Sequence, residues 1–154
     1  MDKKQLISSA EKLVQPSKNT FDEYESKKDM LAEKMNQIMI KRNDIKKMVG
    51  DNISMMEDNH RNHARFMASL FRSYNAEIFV DTVLWVYRAY RSHGFSLIYW
   101  PAQLDSWLSI MKSELNSSTY NEIYPFYNWM IINQAYFVEL SDHKLDEMGE
   151  SLKH

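Results

Sequence analysis

Aromatic residues are concentrated in one part of this chain, and that concentration constrains what the chain can fold into. Of its 20 Phe, Tyr and Trp residues, 18 lie within residues 66–137 and only two precede residue 53. Each ring can bury roughly 150–250 Å², so this stretch predicts a core of its own. The first 52 residues instead hold 11 Lys and Arg and 9 Asp and Glu. We therefore predict an N-terminal helical extension, residues 1–52, and an aromatic-rich helical domain, residues 53–154.

Helical spacing of apolar residues dominates both parts. Residues 76–90 are apolar on nearly all sides, which is typical of a helix in the middle of a bundle. Apolar stripes at i, i+3 and i+4 spacing predict further helices over residues 53–74, 101–115 and 120–140. The predicted fold class is all-α, a helical bundle or a globin-like packing with a long N-terminal amphipathic, coiled-coil-like helix.

A heptad pattern in the first part predicts that long helix. It runs from residue 21 to residue 52, with Lys28, Arg42 and Asn52 as the polar members of its ten a and d positions. One narrow apolar stripe suits a partner helix, so we predict a homodimer; a helix docked on its own domain is the alternative. The predicted dimerisation residues are Phe21, Tyr24, Leu31, Met35, Ile38, Ile45 and Val49.

Composition excludes several classes of function. The absence of cysteine removes disulfides, thiolate metal sites and cysteine nucleophiles, and three glycines leave little room for a phosphate-binding loop. A net charge of −2 argues against a nucleic-acid partner. No apolar run approaches the roughly 18 residues that span a bilayer, so we expect a cytoplasmic protein with no membrane partner. No catalytic motif stands out, and we expect no enzyme activity.

Histidines offer the sharpest candidates for binding chemistry. His60 and His63 share a helix face, and two imidazoles at this spacing can begin a metal site that His93 or a carboxylate completes. A single imidazole also serves as an axial ligand, so His63 or His93 could hold haem or another tetrapyrrole in a globin-like pocket. The alternatives are histidines that hydrogen-bond within the core or contact another ligand.

A second set of candidates follows the histidines along the chain. Asp81 and Arg88 lie close to one helix face, with Arg91 one turn further. They predict either an internal ion-pair set or a site where Arg88 and Arg91 hold a ligand carboxylate. A Tyr- and Trp-rich groove could stack on a flat ligand or simply fill the core. Its members are Tyr87, Tyr90, Tyr99, Trp100 and Trp107.

A longer pattern combines these residues. The run DNHRNHARFM at residues 58–67 is followed by IFVD at residues 78–81, by Leu84-Trp85 and by the helix stop His93-Gly94. This pattern resembles the helical sensor-like domain found in bacterial signalling proteins, often ahead of cobalamin-binding domains or histidine kinases. The resemblance covers about residues 58–115.

The resemblance implies a stand-alone regulatory module, with a signalling protein as its partner. The positions that match the pattern are His60, His63, Asp81 and Trp85. The corrinoid-ligand motif Asp-x-His-x-x-Gly is not matched, because His63 stands where the motif has glycine. Cobalamin binding therefore does not carry over.

The sequence thus favours a non-enzymatic bacterial regulatory or sensory protein that self-associates through its N-terminal helix and binds a small ligand in its aromatic part. A haem-binding globin-like sensor is one alternative, and a metal-dependent enzyme using His60 and His63 is another. The predicted ligand-binding residues are His60, His63, Asp81, Trp85, Arg88, Arg91, His93, Tyr99 and Trp100.

Overall fold

The structure, a computed structural model, describes residues 1–142. Within this range it is built from helices, with no strand. The helices are α1 (Lys3–Ala10), α2 (Lys18–Ile40), α3 (Ile45–Val49), α4 (Ile53–Arg72), α5 (Ala76–Ser92), α6 (Tyr99–Glu114) and α7 (Ser117–Ile132). A further helical segment covers residues 134–142. The all-α prediction is confirmed.

Local sequence signals set several of the helix ends. The Asp2 carboxylate accepts the Gln5 backbone N–H, and the Gln5 side chain accepts the Asp2 backbone N–H, which forms a capping box at the start of α1. Ser17 caps α2 by accepting the Thr20 N–H. Gly50 and Gly94 follow α3 and α5 with φ of 60° and 91°, a backbone conformation that favours glycine.

The predicted long helix is broken, and this corrects the heptad interpretation. Helix α2 ends at Ile40, and α3 starts only at Ile45. Between them, the Arg42 guanidinium makes two hydrogen bonds with the Asp44 carboxylate, at 2.9 and 3.1 Å. Arg42 therefore stabilises a local turn instead of occupying an a position in a continuous seam.

Helix α2 packs within its own chain, mainly against α4 and also against α6 and α7. Tyr24, Leu31 and Met35 are fully buried, and the Tyr24 hydroxyl donates to the Ala64 carbonyl of α4 at 3.2 Å. Val49 is also buried. These four predicted dimerisation residues face the chain's own core, which matches the alternative of a helix docked on its own domain.

One hydrophobic core joins residues on both sides of residue 52. It includes Leu6 of α1, and Trp129 of α7 donates its indole N–H to Ser9 of α1 at 2.9 Å. Residues 53–142 therefore have no core separate from that of the first 52 residues. The boundary at residue 52 stays a prediction about what can fold alone.

Helix α5 differs from the expected central helix. Phe79, Val80, Val83, Leu84, Tyr87 and Tyr90 form its buried face. Ile78 and Trp85, one heptad apart, are 53% and 59% exposed. Helix α5 therefore lies at the periphery of the fold. Although apolar residues occur on nearly all sides of this helix, only one of its faces is buried.

No helix within residues 1–142 combines the length and apolar character needed to cross a membrane.

Candidate functional site

A cavity of about 210 Å³ lies between α4, α5 and α6. Met130 of α7 and Phe137 complete its wall. Among the residues that the structure describes, no Asp, Glu, Lys or Arg lines it. An apolar cavity of about 150 Å³ holds a benzene molecule, so this cavity has room for one or two rings. Its apolar wall includes Phe66, Met67, Phe79, Val83, Leu104 and Phe137.

Two aromatic side chains on opposite helices form one wall of the cavity. Tyr87 of α5 and Trp100 of α6 stack with ring centroids 4.3 Å apart and planes 20° apart. Both are at least nine-tenths buried, at 4% and 3% exposure. Trp85, also a lining residue, is largely exposed and therefore stands where the cavity meets solvent.

The stacked pair carries hydrogen-bond donors that the fold does not use. Within residues 1–142, neither Tyr87 Oη nor Trp100 Nε1 has a hydrogen-bond partner, although both atoms are buried. A buried polar atom without a partner costs about 1–3 kcal/mol. Trp107 Nε1 is in the same position, but Trp107 does not line the cavity. Less than 1 Å² of each of these atoms is accessible, so the two donors are buried within the wall and are not presented to the cavity.

A buried polar network forms the inner end of the site. Asn59 Oδ1, on the cavity wall, accepts from Tyr99 Oη at 2.7 Å and from Gln103 Nε2 at 2.9 Å. His60 continues the network away from the cavity: its Nδ1 lies 2.6 Å from Asn36 Oδ1, and its Nε2 lies 3.0 Å from Tyr99 Oη. The network connects α2, α4 and α6.

His63 lines the cavity and is held by aromatic neighbours. Its Nε2 hydrogen-bonds the Tyr127 hydroxyl at 2.6 Å, and its ring stacks on Trp107 at 4.9 Å. Burial lowers the pKa of His63 to about 3. Burial, with repulsion from His63 and Arg61, lowers the pKa of His60 to about 3 as well. Both imidazoles are therefore neutral near pH 7, and the cavity is an uncharged environment.

The arrangement does not fit the metal alternative. Both ring nitrogens of His60 are engaged in hydrogen bonds, and His63 Nε2 is bound to Tyr127. Over residues 1–142, no three His, Cys, Asp or Glu side chains come together in a group that could hold a metal ion.

The haem alternative fits no better. His93 is exposed at the end of α5 and does not line the cavity, where it would have to lie to hold an iron. His63 does line it, but the volume of about 210 Å³ is below the roughly 300–1,000 Å³ of ordinary ligand pockets. A tetrapyrrole is too large for this space.

The charged candidates are dispersed in the fold. Asp81 pairs with Lys3 of α1 at 2.5 Å, and Arg91 pairs with Asp142 at 2.5 Å. The internal ion-pair set of Asp81 with Arg88 and Arg91 is therefore wrong. Arg88 is half-buried and does not line the cavity, and Arg91 is already paired, so these two residues do not form a joint site for a ligand carboxylate.

Of the nine predicted ligand-binding residues, three line the cavity: His63, Trp85 and Trp100. Sequence reasoning did not select Asn59 or Gln103 for the site. Gln103 carried a signal, because it lies within the apolar stripe of α6 between Trp100 and Trp107, where an unpartnered amide is costly. The Tyr87 and Tyr90 members of the predicted aromatic groove also line the cavity.

Comparisons with known proteins found no match: no protein-family model matches the chain, and neither does any curated protein or solved structure that was searched. The fold and the cavity thus define an all-helical protein with a partly enclosed, uncharged pocket. Any functional conclusion has to come from the chemistry of that pocket.

Proposed function

We propose that this chain is a non-enzymatic regulatory protein that binds a small, largely apolar molecule in the cavity between α4, α5 and α6. The observation that carries the proposal is the cavity itself, which is lined mostly by aromatic and aliphatic side chains, with Asn59, His63 and Gln103 as polar residues on its wall. Pockets that bind small molecules are mostly apolar with a few polar groups placed to orient the ligand. The resemblance to bacterial sensor-like domains supports the regulatory part of the proposal.

The position of the cavity supports a regulatory role, because a ligand bound there would stabilise the packing of three helices. It is bounded by α4, α5 and α6, and α5 has the largely exposed Trp85 at the rim. A ligand that fills it adds contacts to all three helices at once. Binding therefore favours the arrangement in which these helices are held together, by an amount set by its affinity.

Thermal unfolding in the presence of naphthalene, a flat uncharged probe, tests the proposal. At ten times its Kd, a ligand that binds only the folded state stabilises it by about 1.4 kcal/mol, a shift of several degrees in Tm. We expect this shift for the natural chain and its loss in Val83→Phe, which fills the cavity. Ile78→Phe, on the exposed face of the same helix, is the matched control and should keep the shift.

Two results decide the matter. A natural chain whose Tm does not respond to naphthalene overturns the proposal, as does an equal response in the Val83→Phe variant. If Val83→Phe does not fold, Leu104→Phe fills the same cavity from α6 and takes its place.

We also propose that the chain forms a homodimer. The burial of the predicted dimerisation residues gives this part of the proposal little support. Four of the seven predicted dimerisation residues are in the core, Phe21 and Ile45 are half-buried, and Ile38 is 44% exposed. A homodimer would therefore have to use a surface other than the continuous heptad seam. Sedimentation equilibrium of the intact chain tests it, and a monomer mass at high concentration rejects it.

A further inference from the structure

Two buried amide side chains on the cavity wall have hydrogen-bonding atoms that the fold does not use. Asn59 of α4 and Gln103 of α6 are 3% and 4% exposed, whereas Asn62, the other amide residue on the wall, is exposed. Asn59 Oδ1 accepts from Tyr99 Oη and from Gln103 Nε2. The second atom of each amide, Asn59 Nδ2 and Gln103 Oε1, makes no hydrogen bond within residues 1–142.

These two atoms differ from the Tyr87 and Trp100 donors because they are accessible. Tyr87 Oη and Trp100 Nε1 have no partner and less than 1 Å² of accessible surface. Asn59 Nδ2 and Gln103 Oε1 have no partner either, but they are not enclosed in this way, so each keeps accessible surface of its own. Both side chains are more than nine-tenths buried and line the cavity, so that surface faces the cavity. A ligand in the cavity can therefore reach both atoms.

The two accessible atoms are neighbours and have opposite hydrogen-bonding character. The hydrogen bond of 2.9 Å between Gln103 Nε2 and Asn59 Oδ1 joins the two amide groups, and it keeps their remaining atoms within reach of one small molecule. An amide nitrogen donates and an amide oxygen accepts. The wall thus offers one donor, Asn59 Nδ2, beside one acceptor, Gln103 Oε1.

Charge and shape limit the ligand further. No charged side chain among the described residues lines the cavity, and His63 is neutral near pH 7. A carboxylate or ammonium group buried here would have no counter-charge, which is strongly unfavourable. An amide, or its cyclic form, a lactam, carries an acceptor beside a donor without any charge. The stacked rings of Tyr87 and Trp100 present flat surfaces, against which a flat ring packs well.

We infer that the cavity binds an uncharged, planar molecule of one or two rings with an amide or lactam edge. The carbonyl of that edge accepts from Asn59 Nδ2, and its N–H donates to Gln103 Oε1. This inference rests on the proposed function and specifies its ligand class. A site that hydrogen-bonds a ligand N–H discriminates against analogues that lack it, because its own buried polar group is then left unpaired.

Three flat two-ring probes test the inference: naphthalene, quinoline and 2-quinolone. Naphthalene has no polar edge, quinoline has an acceptor nitrogen alone, and 2-quinolone has a carbonyl beside an N–H. All three are uncharged near pH 8, and isothermal titration calorimetry or quenching of Trp fluorescence measures their affinities.

The Gln103→Met variant replaces the amide with a side chain of similar length that has no strong acceptor. We expect the ratio of 2-quinolone to naphthalene affinity to fall about five- to tenfold in this variant, because one hydrogen bond to the ligand is lost. The ratio of quinoline to naphthalene affinity should not change, because quinoline has no N–H to donate. The matched control is Gln37→Met, the same change on an exposed glutamine of α2 outside the cavity wall, and it should leave both ratios unchanged.

NMR of the natural chain provides a second measurement, which decides the matter if Gln103→Met does not fold. With 2-quinolone bound, the signals of the Asn59 side-chain NH2 group should lie downfield of their positions with naphthalene bound, because the carbonyl accepts from this group. Signals at the same positions with both probes would contradict the inference.

The outcomes distinguish the ligand class from the proposed function. If naphthalene binds but the 2-quinolone ratio is the same in the natural chain and in Gln103→Met, the ligand class is wrong and the cavity simply takes apolar molecules. If Gln103→Met lowers the quinoline ratio equally, the assignment of the ligand N–H to Gln103 Oε1 is overturned. If none of the three probes binds, the proposed function itself fails.

Discussion

Lowering the pH from 7 to 5 should destabilise this fold through two imidazoles. Burial lowers the pKa of both His60 and His63 to about 3, from an ordinary value of 6.5. In the unfolded chain both imidazoles titrate near the ordinary value. Between pH 6.5 and about 3 the unfolded state therefore binds more protons than the folded state, and stability falls as the pH falls.

The expected loss of stability can be calculated from these pKa values. Each histidine that stays neutral in the folded state contributes a slope of about 1.4 kcal/mol per pH unit in this range. From pH 6.5 to pH 5 this is about 2 kcal/mol for each imidazole. Hydrogen bonds lower the pKa of Glu122, so its contribution is lost only as the pH falls through values below about 4.5. A window above pH 5 therefore isolates the histidines.

Urea unfolding at pH 7, 6 and 5, followed by circular dichroism, measures this slope. The His60→Gln variant should lose about half of the dependence, whereas His93→Gln, which removes an exposed imidazole, should keep all of it. The NMR signals of the His60 and His63 rings in the folded natural chain should not titrate between pH 8 and 5. A stability that is flat between pH 7 and 5, or a His60 ring that titrates near 6.5, would refute the reasoning.

Other perturbations test the packing around the site. A fragment of residues 52–154 should show no cooperative thermal transition by calorimetry, because the α2 side chains that fill the core against α4 are missing; a sharp transition would instead confirm a domain boundary there. Glu122→Gln should lose about 1 kcal/mol in urea unfolding at pH 7 and less at pH 4, since its carboxylate accepts from Thr20 Oγ1 at 2.6 Å. Asn36→Ala leaves His60 Nδ1 without its partner and should cost about 1–3 kcal/mol, against no measurable loss for an exposed asparagine such as Asn121.

Much of the helical structure could be predicted from the sequence, since it depends on local signals. The apolar stripe of α6 and the glycine that ends α5 both act within a few residues of the chain. The break after Ile40 was missed, because the heptad spacing continues through it while the Arg42–Asp44 contact forms a turn. The heptad pattern depends only on the positions of apolar residues. It carries no information about a local ion pair, such as Arg42–Asp44, that stabilises a turn in place of a continuous helix.

The candidate site was predicted only in part, for a related reason. His63, Trp85 and Trp100 were selected as residue types able to bind a ligand, and they do line the cavity. His60 has the same chemistry, but it lies in a satisfied network behind the wall. Whether an imidazole faces a cavity or the core depends on neighbours that are 24 or more residues away in the chain.

The amino-acid sequence by itself determined that this protein is helical, rich in aromatic side chains and free of cysteine chemistry, because these properties depend on composition and on spacing within single helices. The tertiary structure decided that α2 covers α4 of its own chain, since both helices carry apolar stripes and only their docking shows which surfaces meet. It also decided that Tyr87 and Trp100 stack with their donors unpaired beside a cavity. The cavity exists because the side chains of α4, α5 and α6 do not fill the space between these helices. That space depends on how the three helices pack together, so it cannot be predicted from the sequence of any one of them.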